Sequence, residues 1–185
     1  CLAILGEFPD QKMRRMINNS LVTSIDHGLT PSALATRLTL HGAPESLQGA
    51  VAAGLLGAGS RFLGTVEVSA RFLQEAMSEL DSATEPSDVQ LRQLADATVA
   101  RSRAAGRKIP GFGHPIHVHG DPRALRAQRI AEEEGYFGRH FRFALQLEQS
   151  LSAGVGRPMP LNATGSKAAV LLDLGLPRVD GLTLL

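Results

Sequence analysis

The sequence predicts an all-α protein in which the regularly patterned segments are helices. Apolar residues recur at spacings of three and four along most of the chain, as they do on a helix that buries one face. No segment alternates between apolar and polar residues for long enough to indicate a half-buried strand. The 185 residues, 43% of them hydrophobic and 20% charged, are enough for one sizeable core or for a large and a small lobe.

The order of the helices follows from the apolar stripes and from the residues that start them. A first helix follows Asp10, a second opens at Pro44, and Ser87 or Asp88 caps the helix that comes after the loop 82–87. The stripes themselves lie within residues 13–25, 47–55, 66–80, 91–99, 122–134 and 137–151. The chain is therefore predicted to be a succession of helices, with no repeat and no low-complexity tract.

Net charge and cysteine content argue against several classes of protein. A formal net charge of +1 gives no reason to expect nucleic acid or a membrane surface as a partner. The single cysteine, Cys1, has no internal disulfide partner, and the sequence contains no signal peptide and no long apolar span. These features favour a cytoplasmic location.

The most informative segment is KIPGFGHPIHVHGDPR, residues 108–123. Gly111 and Gly113 flank Phe112, and a backbone without side chains can take unusual conformations and approach a ligand closely. His114 follows directly and adds an imidazole that titrates near neutral pH. The segment thus combines a ligand-binding type of loop with a candidate acid or base.

The same segment ends in a predicted helix start that favours anions. Asp121 is a good N-cap, Pro122 suits the first helical position, and Arg123 falls in the first turn. Unpaired backbone N–H groups and the positive end of the helix dipole attract negative charge there. An imidazole and a carboxylate-binding arginine on one short loop indicate chemistry on a carboxylated substrate.

This segment, GFGH followed by DPR and a helix, resembles the signature of the citrate synthase superfamily. Further stretches are similar to the family in the same order: CLAILGEFP at 1–9, IDHG at 25–28, AVAAGLLGAGSRFLG at 50–64 and PLNATGSKAAVLLDLGLP at 160–177. The Asp26-His27-Gly28 motif and the run from Gly59 to Phe62 resemble the citryl-CoA lyase branch, including the citryl module of ATP-citrate lyase, more than citrate synthase itself.

The resemblance implies a fold of two helical lobes with a cleft between them. Residues 1–65 and 165–185 would form the large lobe, and residues 66–164 the small lobe that carries the GFGH loop. Compared with the family, the large lobe lacks segments at both ends, so we expect the chain to be a fragment. The resemblance also implies a homodimer.

The resemblance further implies a lyase, or in reverse an acyltransferase, that acts on a citryl-CoA-like thioester. Cleavage would give acetyl-CoA and a 2-oxo acid such as oxaloacetate. Coenzyme A would enter as part of the substrate, beside a di- or tricarboxylic acid, and no permanently bound cofactor or metal is expected. Neither the acyl group nor the preferred direction can be read from one sequence.

The resemblance implies roles for individual residues, according to their positions in the family motifs. His114 would hydrogen-bond the oxygen of the carbon where the C–C bond is made or broken, and would take the hydroxyl proton during cleavage. His27 and Arg123 would bind substrate carboxylates, arginine through its planar fork. The residues implied in coenzyme A binding are Arg107, Lys108, Gly111, Phe112 and Gly113.

Three positions depart from the family pattern. Thr164 stands where the family has its catalytic aspartate, and a hydroxyl cannot abstract a proton from carbon at neutral pH. Phe62 or Leu63 replaces another family histidine, and Pro115 follows GFGH where arginine is usual. Proton transfer at the CoA-bearing carbon is the step that these changes put in question.

Two other functions are compatible with parts of the sequence. The spacing of His117, His119 and Asp121 resembles that of some binuclear metallohydrolases, and imidazole suits zinc. Alternatively, the changes at Thr164 and Leu63 favour a homologue that binds coenzyme A without catalysis. Metal analysis would detect the first, and an activity assay combined with a coenzyme A binding assay would identify the second.

Overall fold

The computed structural model describes residues 8–25, 28–59, 61 and 64–175, and within these ranges the chain is all-helical, as predicted. In the same ranges, strand-like pairing is limited to one isolated antiparallel bridge between Phe112 and Leu161. The helices are α1 Gln11–Val22, α2 Pro31–Gly42, α3 Leu47–Leu56, α4 Thr65–Met77, α5 Asp88–Ala104, α6 Pro122–Glu134, α7 Arg139–Val155 and α8 Ala163–Asp173.

The structure confirms the helix predicted after Asp10 and the caps predicted at Ser87 and Asp121. The carboxylate of Asp10 accepts a hydrogen bond from the backbone N–H of Met13 at 2.7 Å, which satisfies a donor that α1 leaves unpaired. Ser87 and Gln90 form a capping box at the start of α5. Asp121 caps α6 and Pro122 occupies its first turn.

Two features of the N-terminal half differ from the prediction. Helix α2, which Thr30 caps and Pro31 begins, was not predicted, because its leucines do not form a stripe against the main core. Helix α3 begins at Leu47 rather than at Pro44, which lies in the preceding turn. The hairpin of α2 and α3 packs mainly on itself, and several of its apolar side chains are exposed, namely Leu34, Leu38, Leu47, Val51, Leu55 and Leu56.

The main core lies between α4, α5, α7 and α8, with α6 and one face of α1 packed against it. Phe141 and Phe143 of α7 are completely buried, as is Leu91 of α5. Burying a side chain of this kind contributes roughly 1.5–3 kcal/mol. Helix α8 is buried along most of its length, and its first turn meets the GFGH loop. None of the helices in the described ranges is both long and apolar enough to span a bilayer.

One helix start is capped by a residue distant in sequence. Helix α7 follows Gly138 and has no capping side chain of its own. The carboxylate of Asp173, at the end of α8, accepts hydrogen bonds from the backbone N–H groups of Gly138, His140 and Phe141 at 2.9–3.1 Å. It also contacts the His140 ring at 2.8 Å. Asp173 is therefore engaged in joining α7 to α8 and is not a substitute for the missing catalytic aspartate.

Candidate active site

Asn162 joins the GFGH loop to the start of α8. Its backbone N–H donates to the carbonyl of Gly111 at 3.0 Å, and its side-chain amide donates to the carbonyl of Gly113 at 2.9 Å. Its side-chain oxygen accepts from the N–H groups of Thr164 and Gly165, which caps α8. The N–H of Gly113 also donates to the carbonyl of Pro160. One asparagine thus fixes the loop and caps the helix that it contacts.

Glycines allow these two segments to approach closely. Gly111 has a φ of +89°, which disfavours residues with a side chain, and a Cβ atom there would lie 2.8 Å from the Cα of Gly165. A Cβ atom on Gly165 would lie 2.4 Å from the carbonyl oxygen of Gly111. Gly111, which was predicted to bind coenzyme A, and Gly165 therefore let the loop rest on α8.

Asp121, which is buried, and Arg123, which is partly exposed, form an ion pair at the start of α6. The guanidinium donates through Nε and Nη2 to the two carboxylate oxygens of Asp121, at 2.9 and 2.8 Å. Asp121 also accepts from the backbone N–H groups of Arg123 and Ala163. Burial disfavours its charged form, but these donors outweigh burial and lower the pKa of Asp121 to about 2.

This ion pair orients Arg123 and leaves part of its fork unused. Asp121 occupies the Nε–Nη2 edge of the guanidinium. The other terminal nitrogen, Nη1, makes no hydrogen bond within the described part of the chain and is available to a ligand. The side chain of Arg123 is 36% exposed, whereas that of Asp121 is fully buried. Arg123 is therefore positioned to present the Nη1–Nη2 edge to a carboxylate.

The ring of His114 is held in one tautomer by its own loop. Nδ1 accepts hydrogen bonds from the backbone N–H groups of Ile116 and His117, each at 3.1 Å. A neutral imidazole that accepts at Nδ1 carries its proton on Nε2. Nη2 of Arg123 lies 3.3 Å from Nε2, so the N–H of His114 and the end of the guanidinium adjoin the same small volume.

The surroundings of His114 favour the neutral ring. Burial lowers its pKa from the ordinary value of 6.5, and the neighbouring His117 and Arg123 lower the pKa further. The rings of His114 and His117 contact each other at a tilt of 31°, with their centroids 4.6 Å apart. A second ring proton, on Nδ1, would point at the backbone N–H groups of Ile116 and His117, which also disfavours the charged ring. In this conformation His114 can donate a hydrogen bond from Nε2, whereas the predicted proton abstraction would first require it to lose both backbone contacts.

A basic cleft of about 570 Å³ opens beside Phe112, two residues before His114. The side chains of the predicted CoA-binding residues Arg107 and Lys108 line it. Two further cations, Arg103 and Arg157, line it as well, and none of its described lining residues is acidic. The remaining lining is largely apolar: Val99, Ile109, Phe112, Leu151, Val155 and Met159. A cation-rich and partly apolar cleft suits a phosphorylated ligand with an organic ring.

The predicted residues fall into two groups. The structure brings His114 and Arg123 together and places the half-buried Thr164 in the first turn of α8, next to the loop. His27, Phe62 and Leu63 lie outside the described residues.

For the metal alternative, no group of three or more potential ligands is arranged around a common point among the described residues. Both oxygens of Asp121 are already engaged.

Lys167 is a buried cation near the candidate site that sequence reasoning did not single out. It lies one turn after Thr164 on α8, is only 8% exposed, and its ammonium donates to the hydroxyl of Ser24, just after α1. Arg123 and Asp121 both act on it electrostatically. A lysine within an apolar helix is usually a surface residue whose head reaches water, and the sequence carries no signal that this one is buried.

Comparison with known proteins agrees with this geometry. The chain matches the family described as citrate synthase, C-terminal domain, over residues 1–183. Its structure is similar to that of citryl-CoA lyase from Hydrogenobacter thermophilus, with a TM-score of 0.80 and 31% identity, covering 99% of this chain and 71% of that one.

Two further relatives are more distant. An ATP citrate lyase from Methanothrix soehngenii, in complex with citrate and coenzyme A, has a TM-score of 0.73 and 22% identity, over 96% of this chain and 28% of that one. This likeness shows the fold. A protein described as probable ATP-citrate synthase from Caenorhabditis elegans is 26% identical over 165 residues. The match covers 86% of this chain but only 14% of that relative's length.

Proposed function

The chain belongs to the citrate synthase family, and from this membership and the site geometry we propose that it acts on a citryl-CoA-like thioester. The proposed reaction is cleavage to acetyl-CoA and a 2-oxo acid such as oxaloacetate, or the reverse condensation. The observation that carries the proposal is the loop that Asn162 fixes against α8, because it sets the N–H of His114 beside the end of Arg123.

The chemistry of this arrangement suits retro-aldol cleavage. The hydroxyl-bearing carbon becomes a carbonyl as the C–C bond breaks, and its electron pair moves into the thioester enolate, which then gains a proton on carbon. The hydroxyl proton passes to water, so negative charge develops on the hydroxyl oxygen, and the enolate carbon takes its proton from water. The Nε2–H of His114 would stabilise that charge by donating a hydrogen bond, in either direction of the reaction.

Arg123 would bind a carboxylate next to the reacting carbon. Its orientation is set by Asp121 before the substrate arrives, so little rotamer freedom is lost on binding. A planar fork holds both oxygens of a carboxylate, which a lysine at the same position would not do. This geometry supports a substrate with a free carboxyl group close to its hydroxyl.

The basic cleft is the proposed binding site of coenzyme A. If Arg107 and Lys108 hold its phosphates, coenzyme A at a hundredfold excess over its dissociation constant should stabilise the protein by about 2.7 kcal/mol. Thermal unfolding with and without coenzyme A measures this. Replacing Arg107 and Lys108 together by alanine should abolish most of the shift. The same change at the exposed Lys12 and Arg14 on α1 is the matched control.

Two results would contradict this site. One is the absence of any melting shift at millimolar coenzyme A. The other is a shift that the double replacement of Arg107 and Lys108 leaves unchanged, since the ligand would then bind elsewhere.

Thr164 favours one alternative, a homologue that binds coenzyme A without catalysing the reaction. In that case the melting shift would be present and no product would form. We also propose that residues 66–164 form the small lobe and that the protein is cytoplasmic. A homodimer is proposed as well, in which a second copy of the chain would cover the exposed leucines of α2 and α3.

A further inference from the structure

Lys167 is a buried cation whose head group has an unusual partner. It is more than nine-tenths buried within α8, and its ammonium donates to the hydroxyl oxygen of Ser24. That hydroxyl donates in turn to the carbonyl of Ser20 at 2.8 Å, so its oxygen is turned towards the ammonium as an acceptor. A single hydroxyl satisfies only one of the three donors of an ammonium. Ser24 is exposed, so the ammonium of Lys167 lies beside a residue that reaches solvent.

Positive charge exceeds negative charge among the described groups around Lys167. Among the described residues, Arg123 and Asp121 are the charged groups that act on it, and both belong to the start of α6. The single carboxylate is already bound by Arg123 and by two backbone N–H groups. Among the residues that the structure describes there, two cations therefore share one anion. Buried charge without a partner is costly, and a bound anion would remove that cost.

We propose that Lys167 and Arg123 together form a clamp for a carboxylate of the substrate. Arg123 would contribute the Nη1–Nη2 edge of its guanidinium, in which Nη1 has no hydrogen-bond partner among the described residues, and Lys167 would contribute the two donors that Ser24 does not occupy. Lys167 is thus a specificity-determining residue that selects an acid of higher negative charge. This inference rests on the proposed function in one respect, the presence of a free carboxylate on the substrate.

The protonation of Lys167 gives the clamp a measurable property. Burial lowers the pKa of Lys167 to about 8, Arg123 lowers it as well, and Asp121 partly opposes the change. A carboxylate bound beside the ammonium would raise that pKa again. Binding should therefore take up protons near pH 8. Affinity should be highest below pH 8 and should fall as the free lysine loses its charge at higher pH.

The test is calorimetric titration of the protein with malate, a stable dicarboxylate whose acid groups are fully ionised above pH 7. Titrations at pH 7, 8 and 9 in buffers of different protonation enthalpy give both the affinity and the number of protons taken up. We expect Lys167→Met to weaken malate binding at pH 7 by roughly 10- to 100-fold, the effect of losing hydrogen bonds from a charged group. Proton uptake near pH 8 should also disappear. Lys12→Met, on an exposed face of α1, is the matched control.

A structural role alone would not alter proton uptake. His27 and His114 are retained in Lys167→Met, so uptake by either imidazole would persist in that variant. If Lys167→Met does not fold, Ser24→Ala tests the same idea, because it removes the acceptor and keeps the cation. With the charged form less stabilised, the decline in malate affinity should begin at a lower pH than in the unmodified protein.

The outcomes separate this inference from the proposed function. Malate binding that depends on Lys167 supports the clamp even if citryl-CoA is not cleaved. Cleavage of citryl-CoA with no effect of Lys167→Met on malate affinity or proton uptake would overturn the clamp and leave the proposed function standing. Failure of the unmodified protein to bind malate, or unchanged pH dependence in Ser24→Ala, would overturn the clamp as well.

Discussion

Replacing His114 by alanine is expected to lower kcat for citryl-CoA cleavage by roughly 100- to 1,000-fold, the effect of removing one donor from a site that stabilises an oxygen anion. The reason is the tautomer that the loop imposes, with two backbone N–H groups on Nδ1 and the ring proton on Nε2. Coenzyme A should still bind, because the basic cleft does not include this side chain. Steady-state kinetics and a coenzyme A melting shift measure the two properties separately.

Glutamine at position 114 distinguishes donation from proton abstraction. Its amide N–H can reach the place of Nε2–H, but an amide cannot act as a base at neutral pH. We expect His114→Gln to retain clearly more activity than His114→Ala. Equal losses in the two variants, together with the loss of a limb of the pH–rate profile near the histidine pKa, would show that His114 takes the hydroxyl proton instead.

Replacing Thr164 by aspartate is expected to accelerate exchange of the methyl protons of acetyl-CoA with deuterated solvent by roughly 100-fold or more, because a positioned base typically contributes 100- to 10,000-fold. In the unmodified protein this exchange should be slow or absent, since a hydroxyl is not a base for a carbon acid at neutral pH. Position 164 lies in the first turn of α8, where a negative side chain is tolerated and even stabilising. Proton NMR of acetyl-CoA follows the exchange directly.

Asparagine is the matched control for Thr164→Asp, since it has the same shape and no basic oxygen. Thr164→Asn should exchange no faster than the unmodified protein. Rapid exchange in the unmodified protein would contradict the interpretation of Thr164 and would mean that another residue abstracts the proton. Asp173 is not a candidate, because its carboxylate is engaged in capping α7.

Local sequence signals predicted most of the fold. Helical periodicity and short-range caps, such as Asp10 before α1 and Ser87 before α5, depend on neighbouring residues and are visible in the sequence. Helix α2 was missed because its apolar residues pack on one neighbouring helix rather than on the core. The cap of α7 was missed because Asp173 is 35 residues from Gly138 along the chain, and no local pattern links the two.

The site was predictable where one short segment carries it. His114 and Arg123 lie nine residues apart on the same loop, so the sequence alone placed them near each other. The tautomer of His114 depends on how its loop turns back, and residue types do not report that turn. Lys167 joins the site only through the packing of α8 against the ends of α1 and α6. Such a contact between distant segments requires the folded structure.

The most direct test of the central claim is incubation of the purified protein with citryl-CoA, with acetyl-CoA and oxaloacetate quantified by mass spectrometry. We predict that both products form in equal amounts, at a rate that His114→Ala lowers at least about 100-fold. Formation of no product above the uncatalysed rate, by a protein that coenzyme A stabilises, would contradict the claim and identify a binding protein instead. Product formation at the same rate in His114→Ala would contradict the role assigned to this site.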